Sequence, residues 1–307
     1  MASQTLTTPS VFSKLPIAEL SLLFTAFFWG TSYGITKDAL LYTGVLAFII
    51  IRFGLTSLIL APIFIRELRK GLAKDWKFAV PTGGILLCIF LAEIYGVFHT
   101  TASKAAFLIS LCVLITPLVE SIADRKLPSR SIVLFALLSV FGVFLLTTQG
   151  IDQQTPNIFS FNLNKGDYSI LLAALLRACM VVTTKILLKD RVLSPLSTTS
   201  IQANIVTLGA LLIFIVSNNP IEQLIPTDFS FWAIIFYLVI FCTIFAFFAQ
   251  NFGVKHTTPS RVALLTGSEP AFGAIFAYYW LGESLNTVQM IGGACILLAT
   301  IMATLRK

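Results

Sequence analysis

The chain has 307 residues, of which 57% are hydrophobic and 11% charged, whereas soluble domains carry roughly a quarter charged residues. That balance excludes a mainly water-exposed body. The net charge of +7 does not argue for nucleic acid as a partner, because the basic residues sort by loop, as described below.

The segment 1–16 is polar and leads straight into an apolar run of full spanning length, so it reads as a cytoplasmic tail and not as a cleaved signal. Apolar runs of about the 20 residues that a bilayer core requires follow in chain order at 17–37, 44–65, 78–98, 101–122, 130–149, 168–188, 197–216, 230–253, 259–281 and 286–305. Turn formers separate several of them: Pro128-Ser129 before the fifth, Asn218-Asn219-Pro220 after the seventh, and Gly282 to Asn286 before the tenth. The longest break, 150–167, divides the chain into halves at 17–149 and 168–305 and reads as an extracytoplasmic linker. The expected fold class is therefore an all-α integral membrane protein with ten transmembrane helices.

Cytoplasmic loops retain Lys and Arg during insertion. With the N-terminus inside, Lys14, the run Arg66 to Lys77, Arg125, Lys126, Arg130, Lys185, Lys189, Arg191, Lys255, Arg261, Arg306 and Lys307 all face the cytoplasm. Lys37, Lys104 and Lys165 face outward, and Arg52 and Arg177 remain within the membrane. Both termini are thus expected on the cytoplasmic side of a cell (inner) membrane. Trp76, Trp232 and Trp280 fall at span ends, where an amphipathic ring suits the headgroup layer. The five cysteines, Cys88, Cys112, Cys179, Cys242 and Cys295, lie inside apolar runs without metal-ligand spacing and read as small buried hydrophobes. No metal site, cofactor or disulfide is inferred.

The segment from Tyr95 to Ser110 repeats as Phe252 to Gly267, with Gly-Val-x-His-Thr-Thr in common and eight of the 16 positions identical. The first copy joins spans three and four and the second joins spans eight and nine, so the unit is five helices. An odd unit inverts the second copy. Inverted repeats with a midplane site are a transporter architecture, because rocking one repeat on the other exposes a fixed site alternately to each side.

These residues, with Phe28-Trp29-Gly30, Arg52-Phe53, Ser268-Glu269-Pro270 and Leu281-Gly282-Glu283, resemble the drug/metabolite transporter superfamily, in the branch with two tandem EamA-type domains. The resemblance covers nearly the whole chain. It implies two inverted five-helix EamA-type repeats, no ATPase domain, and secondary transport, often export, of small metabolites such as amino acids. The first half departs from the pattern, with Asp124-Arg125-Lys126 where the second has Leu-Gly-Glu.

Ionisable groups inside a bilayer are costly and default to functional hypotheses. Four lie within spans: Arg52 and Glu93 at matching depth in the first half, and Arg177 and Glu269 near the midplane in the second. Each half is expected to hold one opposed pair, either lining a cavity or joining helices. Glu269 precedes Pro270, which lacks an N–H and favours a broken helix. An offset of 157 matches Glu93 to Gln250, and one of 148 matches Trp29 to Arg177. Trp29 and Tyr33 share a helix face, with Ala26, Gly30 and Gly34 as an adjacent small-residue stripe; Ala263, Gly267 and Ala271 form another. The candidate cavity residues are Trp29, Tyr33, Arg52, Glu93, Arg177, Gln250 and Glu269. His99 and His256, at equivalent helix boundaries, read as caps, and Lys104 and Arg261 as headgroup anchors.

The four buried charges sum to zero, which favours a zwitterionic or amphipathic solute. Export of amino acids competes with uptake or exchange of a nucleotide-like or sulfonium solute, and a polytopic membrane enzyme is the rival class. No phosphate loop and no long catalytic loop supports an enzyme. The expected partners are a small-molecule substrate and the lipid bilayer, for a monomer or homodimer. Coupling by proton antiport, exchange and facilitated diffusion all remain open.

Overall fold

The computed structural model describes residues 17–100, 102–147, 163–280 and 287–305, and those residues are helices and short connections. The helices are α1 (Ile17–Ala39), α2 (Val45–Arg69), α3 (Val80–His99), α4 (Ala102–Ser110), α5 (Cys112–Asp124), α6 (Arg130–Thr147), α7 (Lys165–Leu188), α8 (Pro195–Val216), α9 (Phe229–Val239), α10 (Ala246–His256), α11 (Pro259–Thr266), α12 (Glu269–Trp280) and α13 (Thr287–Leu305). A π-helical segment, Ile240–Phe245, makes α9 and α10 one continuous rod. Among the described residues five stretches are long and apolar enough to cross a membrane: Val45–Arg69, Trp76–His99, Lys165–Leu188, Pro195–Val216 and Phe229–His256.

Local chemistry sets the helix starts. Asn164 and Asp167 form a reciprocal capping box, each side chain satisfying the other's backbone N–H, so α7 begins at Lys165, inside the expected linker. Ser194 and Thr258 cap α8 and α11, each followed by proline in the first turn, where no N–H is needed. Two expected spans are broken, α4 from α5 at Leu111 and α11 from α12 at Gly267-Ser268. The second break adjoins Pro270, but the first has no proline next to it, so the break belongs to the repeat and not to Pro270 alone.

The halves pack around a pseudo-two-fold relation. Helix α2 lies along its counterpart α8, α6 along α13, and the reciprocal pairs are α3 with α7 and α10 with α1. A Cβ on Gly96 would lie 2.6 Å from Ile170, and one on Gly253 would lie 2.8 Å from Leu22; the repeat offsets convert each pair into the other. Along α3 and α7 the contacts Glu93 with Arg177, Gly96 with Ile170 and His99 with Gly166 run in opposite directions in sequence. These helices are antiparallel, as an inverted repeat requires.

Small-residue stripes behave unequally. Gly30 meets the backbone of α12, and Gly267 abuts Val113, whereas Gly34 faces open space, contrary to the expected stripe. The cysteines also divide: Cys112 and Cys242 are buried, but Cys88 is exposed, on the outward face of α3 that also carries Tyr95. Trp76 and Trp232 are partly exposed near helix starts; the side chains of Trp280 and Lys104, and residues 281–286, lie outside the described residues.

At one end of the bundle the buried carboxylate of Asp167 also accepts a 2.5 Å hydrogen bond from Thr100, and Lys37 donates to the Thr100 carbonyl at the end of α3. Asp167→Ala removes a cap and orphans a buried hydroxyl, which together cost about 1–3 kcal/mol. Thermal unfolding in detergent should show a clearly lower Tm for this variant, and an unchanged Tm would refute the assignment.

Candidate functional site

The centre of the molecule is built where α1, α2, α3, α7 and α10 converge. The close approach of Gly96 to α7 brings Glu93 against Arg177, three residues and two turns from the crossing respectively. The guanidinium of Arg177 grips Glu93 as a fork: Nη2 donates to Oε1 at 3.0 Å and Oε2 at 2.9 Å, and Nε donates to Oε2 at 3.2 Å. Its Nη1 lies 3.5 Å from Oε2 of Glu269. One cation thus bridges two carboxylates from different repeats, and the ring of Trp29 sits 4.9 Å from the same guanidinium.

This pairing corrects the expected one. Arg52 forms no ion pair with Glu93 among the described residues. Its Nε donates to the Thr243 hydroxyl at 2.8 Å and its Nη2 to the Cys242 carbonyl at 3.2 Å, and it lies 5.1 Å over the Phe90 ring. The π-helical segment explains the acceptors. The extra residue in the turn frees the Cys242 carbonyl, which accepts from both Arg52 and Trp29 Nε1, the latter at 2.9 Å. Thr243 in turn donates to the carbonyl of Leu238, five residues back. Nothing in the sequence from Ile240 to Phe245 signals the widened turn; the available hint was a threonine in an aromatic span, opposite an intramembrane arginine.

A small cavity at this point is lined by Trp29, Tyr33, Arg52, Glu93 and Arg177, five of the seven expected residues, and also by Ser32, Thr36, Phe90, Ile94, Val97 and Phe247, which sequence reasoning did not select. Glu269 joins through Arg177. Gln250 is buried on α10 but does not line this cavity. The free space is about 10 Å³, roughly one water molecule's requirement, too little for a solute.

Several buried acceptors and donors are unfilled. Among the described residues the Tyr33 hydroxyl, Glu269 Oε1 and Gln250 Oε1 complete no hydrogen bond of good geometry, although the Tyr33 hydroxyl lies beside the Glu269 carboxylate. A buried polar group left unpaired costs about 1–3 kcal/mol. Arg52 likewise keeps spare N–H groups, since a guanidinium has five donors. Among the described residues no group of His, Cys, Asp and Glu is placed to hold a metal ion.

The histidines sit away from this centre. His99 Nδ1 lies 2.9 Å from the Tyr95 carbonyl and its ring stacks at 4.1 Å on Tyr95; His256 repeats the arrangement with Phe252 at 2.8 and 4.2 Å. Arg261, expected as a headgroup anchor, instead pairs with buried Glu19 at 3.0 Å.

Comparison with known proteins places this geometry in context. A family model described as the EamA-like transporter family matches residues 16–148 and 164–305. An uncharacterized transporter of Archaeoglobus fulgidus is 26% identical, over 94% of this chain and 86% of that protein. The uncharacterized transporter YyaM of Bacillus subtilis is 23% identical, over 93% and 92%. A chloroplastic WAT1-related protein of Arabidopsis thaliana is 26% identical, over 89% of this chain and 66% of that protein. A solved crystal structure shares the fold with a TM-score of 0.70 at 16% identity, covering 94% of this chain and 96% of its own.

Proposed function

The chain belongs to the EamA-like transporter family, and from that premise we propose that it exports small zwitterionic metabolites, amino acids foremost, by alternating access without ATP. It is a multi-pass membrane protein; in this reading it has ten crossings, with both termini in the cytoplasm. The observation that carries the proposal is the Arg177 bridge between Glu93 and Glu269 beside unfilled buried polar atoms. The four central charges cancel, so a solute bearing both signs enters without adding net charge to a medium that penalises it. Arg52, with spare donors, takes the carboxylate. Glu269 Oε1 and the Tyr33 hydroxyl take the ammonium, and Trp29, Phe90 and Phe247 wall the side chain.

The narrow centre fits a cycle in which both mouths open in turn. The reciprocal packing of α3 on α7 and of α10 on α1 gives each mouth the same helix frame in opposite orientation, which is the mechanical basis of rocking. Glu269 is the residue assigned to proton coupling in this scheme.

Purified chain in liposomes, loaded with a panel of labelled amino acids and assayed with and without a pH gradient, tests the proposal. Saturable flux of at least one zwitterion without ATP is expected, and Glu269→Gln should remove its dependence on the gradient. If folded protein moves no panel member faster than protein-free liposomes, the reading fails.

A further inference from the structure

A second cavity, about 350 Å³, opens between the end of α7, the start of α8 and the end of α10. That volume lies within the range of small-molecule sites. Leu188, Leu193, Pro195 and Val254 supply an apolar wall, and two buried polar groups join it: Asn251, which donates to Thr199 and Gln202, and Thr184, 2% exposed, whose hydroxyl has no partner among the described residues. Its rim is cationic. Lys185 Nζ donates to the carbonyls of Val254 and Thr257, both at 2.9 Å, Lys255 Nζ donates to the Leu193 carbonyl at 3.3 Å, and the Arg191 guanidinium stacks 3.9 Å from the Phe78 ring.

These contacts fix the cations without exhausting them. An ammonium carries three N–H groups, so Lys185 keeps one and Lys255 two. Lys189 adds a fourth positive charge, against the single acid Asp190 in the lining. Glu120 bears on Lys185 from α5 but is engaged by the Ser260 backbone N–H and hydroxyl.

The other mouth supplies an internal control. The repeat offsets of 148 and 157 take Thr184, Lys185, Asn251, Val254 and Lys255 to Thr36, Lys37, Ile94, Val97 and Phe98, and Lys189 and Arg191 to Leu41 and Thr43. Thr36, Ile94 and Val97 there line the small central cavity. Thr184 and Lys185 thus recur as Thr36 and Lys37, and Lys37 donates to the Thr100 carbonyl as Lys185 does to that of Thr257, so these two belong to the shared frame; Asn251, Lys255, Lys189 and Arg191, replaced there by Ile94, Phe98, Leu41 and Thr43, are what the frame does not demand. Retention of positive charge in cytoplasmic loops accounts for the side on which the cations lie. It does not account for a buried, unpaired hydroxyl beneath them in a solute-sized space.

We propose that this cavity binds an oxyanion group, a carboxylate or phosphate, at the cytoplasmic mouth and is the first station of the solute on its way to the centre. Thr184 is seven residues from Arg177 on α7 and Asn251 is four from Phe247 on α10, or about 10 Å and 6 Å at 1.5 Å rise per residue. The capture role rests on the transport reading, whereas the binding itself does not.

Inorganic phosphate titrated calorimetrically into the full chain, delipidated in neutral detergent at constant ionic strength, should bind saturably. Binding should weaken at least about tenfold in the double variant R191Q/K255Q, as loss of charge-assisted hydrogen bonds requires, and should weaken in Thr184→Val. It should persist in Lys70→Gln, which removes an exposed cation outside the cavity. Repeating the titration in nanodiscs separates the sources. Binding in both phosphatidylcholine and phosphatidylglycerol discs identifies a free solute as the ligand, and loss only in phosphatidylglycerol identifies a competing lipid headgroup; both outcomes support an oxyanion site. Absence of saturable binding in detergent and phosphatidylcholine, or equal weakening in folded R191Q/K255Q and Lys70→Gln, overturns it. Flux without phosphate binding would sink this site alone, and binding without flux would sink only the transport reading.

Discussion

Arg177→Met is expected to abolish transport and to destabilise the protein by about 3–5 kcal/mol, because removing one member of a buried ion pair strands its partners. Here two carboxylates are stranded, Glu93 and Glu269, whose side chains are 9% and 5% exposed. The triple variant E93Q/R177M/E269Q removes the stranded charge along with the cation. Its thermal stability should return most of the way to wild type, since replacing a buried charge set by neutral groups is often neutral or favourable. Its flux should not return. A triple variant that transports normally would mean that the bridge only joins helices. Arg177→Lys keeps the charge but loses the two-pronged grip on Glu93, so intermediate flux is expected.

Gly30→Ala should have the next largest effect. A Cβ at Gly30 would lie 2.5 Å from the Glu269 carbonyl oxygen and 2.7 Å from the Gly273 nitrogen, and one at Gly273 would lie 2.9 Å from the Gly30 carbonyl oxygen. Both neighbours are backbone and cannot swing aside, so α1 and α12 must separate. Overpacking of this kind costs about 1–3 kcal/mol. The functional loss should be larger, on the order of a hundredfold for a displacement of about 1 Å, because Trp29 and Glu269 sit beside the contact. Gly34→Ala on the same helix is the control: nothing lies within 4 Å of its Cβ position, and stability and flux should hold.

Much of the frame was legible in the sequence. Hydropathy located the helical stretches, and the Gly-Val-x-His-Thr-Thr duplication pointed to the repeated pair of EamA domains, because helix boundaries carry polar residues in a distinctive order. The partners of the central charges were not legible. Depth along a helix placed Arg52 beside Glu93, but the rotation of each helix and the crossing of α3 with α7 decide which groups meet, and they joined Glu93 to Arg177. The π-helical turn was hidden for a different reason: it depends on Thr243 and Cys242 satisfying groups on α1 and α2, a tertiary demand absent from local propensity. Pro270 drew attention to one helix break, yet the equivalent break at Leu111 occurs without a neighbouring proline. Ser32, Thr36, Phe90 and Phe247 were passed over because ordinary residues in an apolar helix show no sign of facing a cavity until the neighbouring helices are placed.

The central claim is that one site, built around Arg177, opens alternately to both sides of the membrane. Its most direct test is a single reporter thiol, Ser32→Cys, introduced at a cavity-lining position after the five native cysteines are replaced. Membrane-impermeant thiol reagents applied separately to each face of reconstituted, transport-active protein should label this position from both sides, and a transported solute should slow the labelling. Labelling from one face alone, or from neither, would contradict the account.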